Sequence, residues 1–476
     1  MAAAAGTWSQ AGSAGLQRRG QEAQALRGNG VGGERRGIVD ARSAVLNRAK
    51  EAAVAFVHLQ FSDILGLTKT VAIPISQLER ALAGEIMFDA ASIEGFVRME
   101  ESDMFLLPDP ETFAVFPWTA AEGATGRLIC DICLADGSPF AGCARTRLKV
   151  VLAEAEAAGF HPSVGAEPEF FLLPLDAHGR PRREVDDRAG YFDQGPIGAG
   201  DLARQEMVGA LDQMGLAVET AHHEAAPGQH EIDFAAAPAL RAADNIATFR
   251  LVVRTIAMRH QLHATFMPKP FFGRNGSGLH LHHALMREGK DAFAGEGGLS
   301  QEARSFVAGL LSHMRGLTAI TNPLVNSYKR LIMGYEAPAH ISWSDGSKSP
   351  LLRVSHTHRG LAQLELRSPD PTCNPYLALA VCLKAGLAGI REHLEPPPPL
   401  TQSPQRMNAA ELRELGVERL PGSLREALDH LRQDGLVREA LGEHIYRHFL
   451  EAKEIEWEVY ERQVNDWEVD QYLETF

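Results

Sequence analysis

The sequence predicts an α+β protein built from two domains, and three observations support this prediction. A chain of 476 residues is too long for one compact core, so more than one domain is expected. Residues 43–140 carry short strand-like runs broken by Gly, Pro and Asp. Residues 145–476 alternate long helical patterns with short strands. A small mixed domain followed by a larger α+β domain is therefore expected.

Residues 1–42 do not look like part of either domain. They are rich in Ala, Gly, Gln and Arg, without apolar periodicity or the apolar core of a secretory signal. Gly28–Gly33 formally matches G-x-G-x-x-G, but no strand precedes it, so the context of a nucleotide-binding loop is missing. This stretch predicts a disordered or misassigned N-terminal extension.

Composition excludes several classes of function. The formal net charge of -14 argues against a general nucleic-acid-binding protein, which normally carries a basic surface. No apolar run reaches the roughly 18–20 residues of a membrane helix. Five cysteines, an odd number, favour a reducing compartment over a disulfide framework. We therefore expect a cytoplasmic protein that binds neither nucleic acid nor membrane directly.

The small domain is predicted from four β-prone runs with one helix among them. The runs are "AFVHLQFSDILG", "KTVAIPIS", "FAVFPW" and "RLICDICL", and the helix is "SQLERALAGE". The last run contains a C-x-x-C, but a strand would direct Cys130 and Cys133 to opposite faces. The larger domain opens with the helix "RTRLKVVLAEAEAAG", which ends at a glycine.

Four strand-like segments of the larger domain place ionisable residues on one face and apolar residues on the other. In "GAEPEFFLL", for example, Glu167 and Glu169 point to one side, while Phe170 and Leu172 point to the other. In "VETAHHEAAPGQHEIDF", the Pro-Gly pair predicts a turn that brings two glutamates together. The ionisable residues on the four faces are Glu167 and Glu169, Glu224 and Glu231, His280 and His282, and Glu365 and Arg367.

These faces predict a metal site if they converge. A sheet with one solvated face explains any single case, but four cases that supply five glutamates make that explanation weaker. Converging carboxylates would repel each other by several kcal/mol unless a cation lies between them. Carboxylates with an imidazole suit Mg²⁺ or Mn²⁺, and the lack of a cysteine argues against structural zinc.

The following segments supply positive charge. "NPLVNSYKRLIMGYEAP" contains Lys329, Arg330 and Glu336, and "SWSDGSKSPLLRV" contains Lys348 and Arg353. Divalent cations facing Arg and Lys are typical of phosphoryl-transfer sites. Because the chain has no G-x-x-x-x-G-K-[ST], the sequence predicts an ATP-using, two-metal enzyme without a P-loop.

From about Val57 to Phe476 the chain resembles bacterial type I glutamine synthetases, above all the feedback-inhibited, non-adenylylated Gram-positive form. The matching motifs include "MFDAASIEGFVRMEESDM", "AEPEFFLL", "HHEAAPGQHEIDF", "ATFMPKPFFGRNGSGLH", "NSYKRLIMGYEAP" and "ELRSPDPTCNPYLALA". The resemblance implies an N-terminal β-grasp domain and a catalytic domain with a curved antiparallel sheet surrounded by helices. It also implies a dodecamer of two hexameric rings, with active sites between neighbouring subunits.

The reaction implied by the resemblance joins ammonia to L-glutamate through γ-glutamyl phosphate at the expense of ATP, with two or more Mg²⁺ or Mn²⁺ per site. The implied ligands of the substrate-side metal are Glu169, Glu224 and Glu231, and those of the nucleotide-side metal are Glu167, His280 and Glu365. Glutamate would be bound by Asn275, Gly276, Arg330 and Arg367, and the nucleotide by Glu219, His282, Lys348 and Arg353. Ammonium would be bound and deprotonated by Glu336, which lies on a closing flap, and by Asp89 of the neighbouring subunit, with Ser92 close by. The implied catalytic residues are Asp89, Glu336, Arg330, Arg353 and Arg367.

Regulation is also implied by the resemblance. The loop "EPPPPLTQSPQRMNAAEL" has no tyrosine, which predicts that the chain is not adenylylated. Arg98 matches the arginine associated with feedback inhibition by glutamine. Transcription factors of nitrogen metabolism are potential partners, because Gram-positive relatives bind them.

Some positions depart from the family pattern. Lys348 replaces an arginine of a phosphate-contacting motif, and Ala90, Ala91 and Ala284 replace the residues usual beside the aspartate and in the histidine strand. Lysine keeps the charge of arginine but loses its planar fork. Two alternatives follow: a γ-glutamyl ligase that uses an organic amine, or a weakly active regulatory paralogue.

Overall fold

The structure is a computed structural model of the chain. It describes residues 33–90, 93, 103–185, 187–193, 198–334, 336–346, 350–356 and 362–476. Of the residues singled out from the sequence, Ala91, Ser92, Arg98 and Lys348 lie outside these ranges.

The small domain is a six-stranded sheet with short helices. Helix α1 (Gly33–Glu51) precedes strands β1 (Val54–Ser62) and β2 (Thr68–Pro74), helix α2 (Leu78–Leu82), and strands β3 (Ile86–Asp89), β4 (Asp103–Pro108), β5 (Ala114–Val115) and β6 (Ala124–Cys133). The strand order is β2-β1-β6-β4-β3, with β5 beside β6, and β1 runs parallel to β6. The expected mixed architecture is confirmed.

Helix α1 packs against the small domain. The helix begins at Gly33, within the stretch 1–42 that the sequence analysis separates from the small domain. Its Val45 and Ala49 are buried in the core of the small domain.

The larger domain combines a curved sheet with long helices. Its strands are β7 (His161–Pro174), β8 (Val218–His223), β9 (Gln229–Pro238), β10 (Leu262–Thr265), β11 (Leu279–Arg287), β12 (Lys290–Asp291), β13 (Ala294–Gly295), β14 (Gly298–Leu299), β15 (Trp343–Asp345), β16 (Leu352–His356) and β17 (Ala362–Leu366). Its helices are α3 (Ala144–Ala157), α4 (Ala199–Gln213), α5 (Ala239–Arg259), α6 (Gln301–Thr321), α7 (Pro375–Glu392), α8 (Ala409–Glu414), α9 (Leu424–Gln433), α10 (Gly435–Leu441), α11 (Glu443–Glu461) and α12 (Asp466–Tyr472). Among the described helices, none is long and apolar enough to cross a membrane.

Nine strands form the main sheet of this domain. The order along the sheet is β15-β16-β17-β11-β7-β9-β8, with β10 beside β7 and β12 beside β11. All neighbours are antiparallel except β15 and β16. Phe170 and Leu172 of β7 lie in the helix-covered core. The alternation read from the sequence therefore places the charged side chains of β7 on the opposite, concave face.

A tight turn joins β8 to β9. Gly228 has φ +74, a conformation that favours glycine, and its carbonyl accepts a hydrogen bond from Leu172 N at 2.8 Å. A Cβ at this position would lie 2.8 Å from Val185, so the turn also packs closely against its neighbour. The turn predicted at Pro227-Gly228 is confirmed, and it brings Glu224 and Glu231 to one end of the sheet.

A buried ion network fastens the small domain to the larger one. Arg145 of α3 lies 2.7 Å from Asp109, 3.1 Å from Asp131 and 2.9 Å from Asp244. Tyr376 donates a 2.8 Å hydrogen bond to the same Asp244. Because three carboxylates and a phenol surround one buried guanidinium, the two domains are held in a defined arrangement.

Candidate active site

A cavity of about 340 Å³ opens on the concave face of the nine-stranded sheet. It combines carboxylates on one side with arginines on the other. The lining residues are Glu167, Glu169, Tyr191, Glu224, Gln229, Glu231, Asn275, Gly276, His280, Arg330, Glu336, Ala337, Arg353, Glu365, Arg367 and Gln405. All six metal ligands implied by the sequence therefore line one cavity.

The first group of potential metal ligands is Glu167, His280 and Glu365. His280 and Glu167 are paired across β11 and β7, which puts His280 Nδ1 3.0 Å from Glu167 Oε2. The same nitrogen lies 3.4 Å from Glu365 Oε1. One atom from each residue lies within 4.8 Å of the other two, a spacing that fits one cation.

The second group contains Glu224, Glu231 and an unexpected histidine. His222 Nδ1 lies 3.6 Å from Glu224 Oε1, and His222 Nε2 lies 3.7 Å from Glu231 Oε1. The sequence analysis did not include His222 among the expected metal ligands. The position of His222 depends on the register between two strands, which the sequence does not give: His222 is paired with Glu231 across β8 and β9.

Glu169 lies between the two groups. It is paired with Glu231 across β7 and β9, and its Oε1 is 4.0 Å from His280 Nε2. Its other oxygen accepts hydrogen bonds from Gln229 Nε2 at 2.8 Å and from Gly278 N at 3.0 Å. These donors hold the carboxylate at the centre of the cavity.

The electrostatics of the carboxylates fit a cation-binding site. Burial raises the pKa of Glu224 to about 7, and the Glu169 carboxylate adds to the shift. Burial and the Glu169 carboxylate also raise the pKa of Glu231 strongly. Burial opposes ionisation of Glu167 as well, but hydrogen bonds from His280 and His282 outweigh it and lower its pKa. Several oxygen donors with imidazole nitrogens form the donor set that Mg²⁺ or Mn²⁺ accepts.

Three arginines occupy the opposite wall. Arg330 is buried and donates to the carbonyls of Arg367 at 3.0 Å, Ser368 at 2.7 Å and Pro369 at 3.2 Å. Arg353 forms an ion pair with Glu365, and Arg367 Nε lies 3.2 Å from the other oxygen of that carboxylate. The family resemblance implies that Arg330 binds glutamate, and these bonds show that its guanidinium also fixes the backbone beside Glu365.

Asn275 and Glu336 meet at the edge of the cavity. Asn275 Nδ2 donates to Glu336 Oε2 at 2.9 Å. The neighbouring Gly276 accepts a 3.1 Å hydrogen bond from Gln229, and a Cβ on it would lie 2.1 Å from the carbonyl oxygen of Pro268. Only glycine fits this close approach of two backbone segments.

Some predicted site residues lie elsewhere. Glu219 is exposed on β8 and does not line the cavity. His282 is buried behind it, with Nε2 2.7 Å from Glu167 Oε1. Asp89 ends β3 in the small domain, also outside the cavity of its own chain. Tyr191, Gln229 and Gln405 line the cavity without having been identified, since no motif spacing distinguishes them.

A third cluster, Asp187, His223 and His230, also has the composition of a metal site. However, Arg204 Nη1 lies 2.5 Å from His230 Nδ1. This contact makes Nδ1 an acceptor and leaves the proton of the neutral ring on Nε2, which then cannot bind a metal. The cluster is therefore better described as a hydrogen-bond network beside the cavity.

Comparisons with known proteins agree with this geometry. A model described as the glutamine synthetase catalytic domain matches residues 141–472, and one described as the glutamine synthetase beta-grasp domain matches residues 53–135. The glutamine synthetases of Staphylococcus aureus (strain MW2) and Staphylococcus epidermidis are each 51% identical to this chain over 433 residues, covering 90% of the chain and 97% of each relative.

Solved structures share the fold. A complex of GmaS with ADP has a TM-score of 0.81 and 31% identity, covering 90% of this chain and 99% of that one. A Plasmodium falciparum glutamine synthetase has the same TM-score at 24% identity, covering 91% and 98%, which supports the fold alone. With the two domain matches and the staphylococcal relatives, these findings establish that the chain belongs to the glutamine synthetase family.

Proposed function

We propose that the chain joins ammonia to L-glutamate at the expense of ATP, through γ-glutamyl phosphate, with the acidic cavity as its active site. The observation that carries this proposal is the convergence of six glutamates, His280 and three arginines in one cavity. The 51% identity to staphylococcal glutamine synthetases supports the same reaction.

Two divalent cations, Mg²⁺ or Mn²⁺, fit the two carboxylate groups. Glu167, His280 and Glu365 would hold the nucleotide-side ion, while Glu169, Glu224 and Glu231 would hold the substrate-side ion. When bound, such ions neutralise the phosphates and stabilise charge that develops during phosphoryl transfer. Glu365 pairs with Arg353 and Arg367, and it would hold a cation together with Glu167 and His280 if these arginines took other anionic partners.

The arginine wall supplies binding for anionic groups. Arg367 and Arg353 would turn from Glu365 to the glutamate carboxylate and the transferring phosphate, respectively. Arg330 holds the backbone from which Arg367 projects, and Asn275 and Gly276 complete the glutamate site. His282, Glu219 and Lys348 are assigned to the nucleotide side. Charge neutralisation and positioning supply most of the catalysis in reactions of this class.

Glu336 is proposed to accept a proton from ammonium, so that the resulting ammonia attacks the acyl carbon of γ-glutamyl phosphate and inorganic phosphate leaves. Its contact with Asn275 ties it to the glutamate site at the cavity edge. Closure of this segment would exclude water, which otherwise hydrolyses the acyl phosphate. Asp89 of a neighbouring subunit would complete the ammonium site, since Asp89 lies away from the cavity of its own chain.

We propose assembly into a dodecamer of two hexameric rings, with this subunit-shared site repeated around each ring. A cytoplasmic location fits the odd number of cysteines. Feedback inhibition by glutamine is assigned to Arg98, and the absence of tyrosine from the loop after α7 supports regulation without adenylylation. Nitrogen-regulatory transcription factors remain proposed partners.

A γ-glutamyl ligase with an organic amine acceptor is the second candidate. The replacements at Ala90, Ala91, Ala284 and Lys348 favour it, because they cluster at the ammonium and phosphate ends. The retained Asp89 and Glu336, together with the higher identity to glutamine synthetases, favour ammonia.

Phosphate release with ATP and glutamate, measured with ammonia and then with a panel of primary amines, tests the proposal. Ammonia should give the highest kcat/KM. A preference for an alkylamine would establish the second candidate. Lack of turnover with every acceptor, despite binding of metal and ATP, would contradict both ligase functions and leave a regulatory paralogue.

A further inference from the structure

His223, at the end of β8, connects the active-site cavity to a neighbouring loop. The side chain is 3% exposed. Its Nε2 lies 2.7 Å from Asp187 Oδ2, and its Nδ1 lies 2.6 Å from the carbonyl oxygen of Glu224 and 3.1 Å from that of Gly190. Carboxylate and carbonyl oxygens only accept hydrogen bonds, so both ring nitrogens donate. The ring of His223 therefore connects the side chain of Asp187 to the backbone carbonyls of Gly190 and Glu224.

Asp187 anchors the other end of this connection. Its Oδ2 also accepts from Gly228 N at 3.2 Å, and its Oδ1 accepts from Ala189 N at 2.9 Å. One carboxylate thus binds the turn between β8 and β9, the start of the loop at 187–193, and His223. Losing it would release all three together.

The loop at 187–193 needs such an anchor. Phe192 has φ +60, in the left-handed region that a residue with a Cβ rarely adopts. Backbone strain of this kind costs on the order of 1–3 kcal/mol and persists only where surrounding contacts hold it. Here Phe192 N donates to His223 O at 3.1 Å, and Gly190 N donates to Asp193 Oδ2 at 2.8 Å.

The strained loop places aromatic side chains at the cavity. Tyr191 lines the cavity. The rings of Tyr191 and Phe192 pack edge-on to the His222 ring, with distances between ring centroids of 5.6 Å for Tyr191 and 4.5 Å for Phe192. His222 in turn faces Glu224 and Glu231. The network from Asp187 therefore reaches the second carboxylate group by two routes, through the Glu224 backbone and through the aromatic wall.

We propose that Asp187 is a positioning residue, which acts through His223 to hold Glu224 and the Tyr191 loop in the geometry that the substrate-side cation requires. The inference rests on the proposed two-metal site. Residues that orient metal ligands from outside the coordination sphere typically change metal affinity by about 10–100-fold when they are replaced. Asp187 does not line the cavity, so its effect must pass through the residues it holds.

Titration of the intact protein with Mn²⁺ alone, followed by electron paramagnetic resonance, tests the assignment. Wild type should bind two Mn²⁺ per subunit. Asp187→Ala should weaken one of them by about 10–100-fold and leave the other unchanged. Glu224→Gln and Glu365→Gln identify the two sites, and Asp187→Ala should resemble Glu224→Gln. Asp187→Asn keeps a hydrogen-bond acceptor for His223, so its Mn²⁺ affinity at the weakened site should lie between those of wild type and Asp187→Ala.

Asp176 provides a matched control. It is also a loop aspartate, whose Oδ1 accepts from His178 N at 2.8 Å and Arg180 N at 2.9 Å, but it does not line the cavity. Asp176→Ala should leave both Mn²⁺ affinities unchanged. If Asp187→Ala left both Mn²⁺ affinities unchanged, or weakened both equally, the positioning role of Asp187 would be contradicted while the proposed two-metal site would stand. A wild-type protein that binds fewer than two Mn²⁺ would instead contradict the proposed two-metal site and the inference with it.

Discussion

Glu169 and Glu231 occupy directly paired positions on the neighbouring antiparallel strands β7 and β9. Both are buried, with 9% and 7% of their surface exposed. Like charges at paired positions destabilise a sheet, and burial adds to the cost of ionising either group. The fold therefore carries an electrostatic cost at this pair, which a bound cation would relieve.

Glu231→Gln is expected to stabilise the metal-free protein and to weaken its response to metal. Burial and Glu169 disfavour the charged form of Glu231, so folding must either protonate this carboxyl or tolerate the repulsion. The neutral amide avoids this cost, which we take as up to about 1 kcal/mol. In EDTA, Tm should rise by roughly 2 °C. The increase in Tm on addition of Mn²⁺ should be smaller than in wild type, because one ligand is lost. Differential scanning fluorimetry with EDTA and with Mn²⁺ measures both effects.

The exposed Glu156 on α3 supplies the control for this experiment. Glu156→Gln should change neither the Tm in EDTA nor the increase with Mn²⁺. A decrease of Tm in EDTA for Glu231→Gln, or an undiminished metal response, would contradict the role assigned to the Glu169–Glu231 pair.

The sequence predicted the carboxylate groups because alternation along a strand follows directly from strand geometry. It could not predict His222 as a member of the second group, since that depends on the register between β8 and β9. Gln229 and Tyr191 were also missed. Their positions follow from a turn and from a loop with positive φ at Phe192, neither of which has a periodic signal.

The beginning of helix α1 also lacks a signal in the sequence. Amino-acid composition gives residues 1–42 as a disordered or misassigned extension, and α1 begins at Gly33 within this range. Tertiary burial of Val45 and Ala49 stabilises a helix whose first turns have weak intrinsic preference.

Glu336→Gln should lower kcat for ligation of ammonia by about 10²–10⁴-fold, the usual contribution of a general base. The metal response of Tm should stay at the wild-type value, because Glu336 is not among the carboxylates assigned to metals.

Asn275→Ala removes the 2.9 Å hydrogen bond to Glu336 and a group at the glutamate site. It should mainly raise KM for glutamate. Steady-state kinetics with varied glutamate and ammonia separate the two variants, and full turnover by Glu336→Gln would exclude the proposed proton transfer.

Arg145→Met should destabilise the protein by about 3–5 kcal/mol, because it leaves the buried Asp244 without its ion-pair partner and removes one cation from Asp109 and Asp131. Arg80→Met breaks the exposed Arg80–Glu85 pair and should cost less than about 1 kcal/mol. Urea unfolding followed by fluorescence compares the two variants. Adding Asp244→Asn to Arg145→Met should recover part of the loss; equal stabilities of the two arginine variants would show that the network does not hold the domains.

His283 gives the fold a defined sensitivity to acid. It is fully buried beside Phe306, and neither ring nitrogen has a hydrogen-bond partner among the described residues. Burial lowers its pKa to about 3 from an ordinary value of 6.5. The folded state thus favours the neutral ring, so its contribution to stability is complete above pH 6.5 and is lost progressively as the pH falls towards 3. At pH 5 the loss amounts to about 2 kcal/mol.

His283→Leu should therefore reduce the drop in unfolding free energy between pH 7.5 and pH 5 by about 2 kcal/mol. Urea unfolding in EDTA at both pH values measures the drop without interference from metal binding. His178→Leu, which changes an exposed loop histidine, should keep the wild-type drop. If His283→Leu lost as much stability on acidification as His178→Leu, then protonation of His283 would not limit the acid stability of this fold. The buried carboxylates and His230 would then be the next groups to replace, because His230 is also buried and its pKa is lowered mainly by burial.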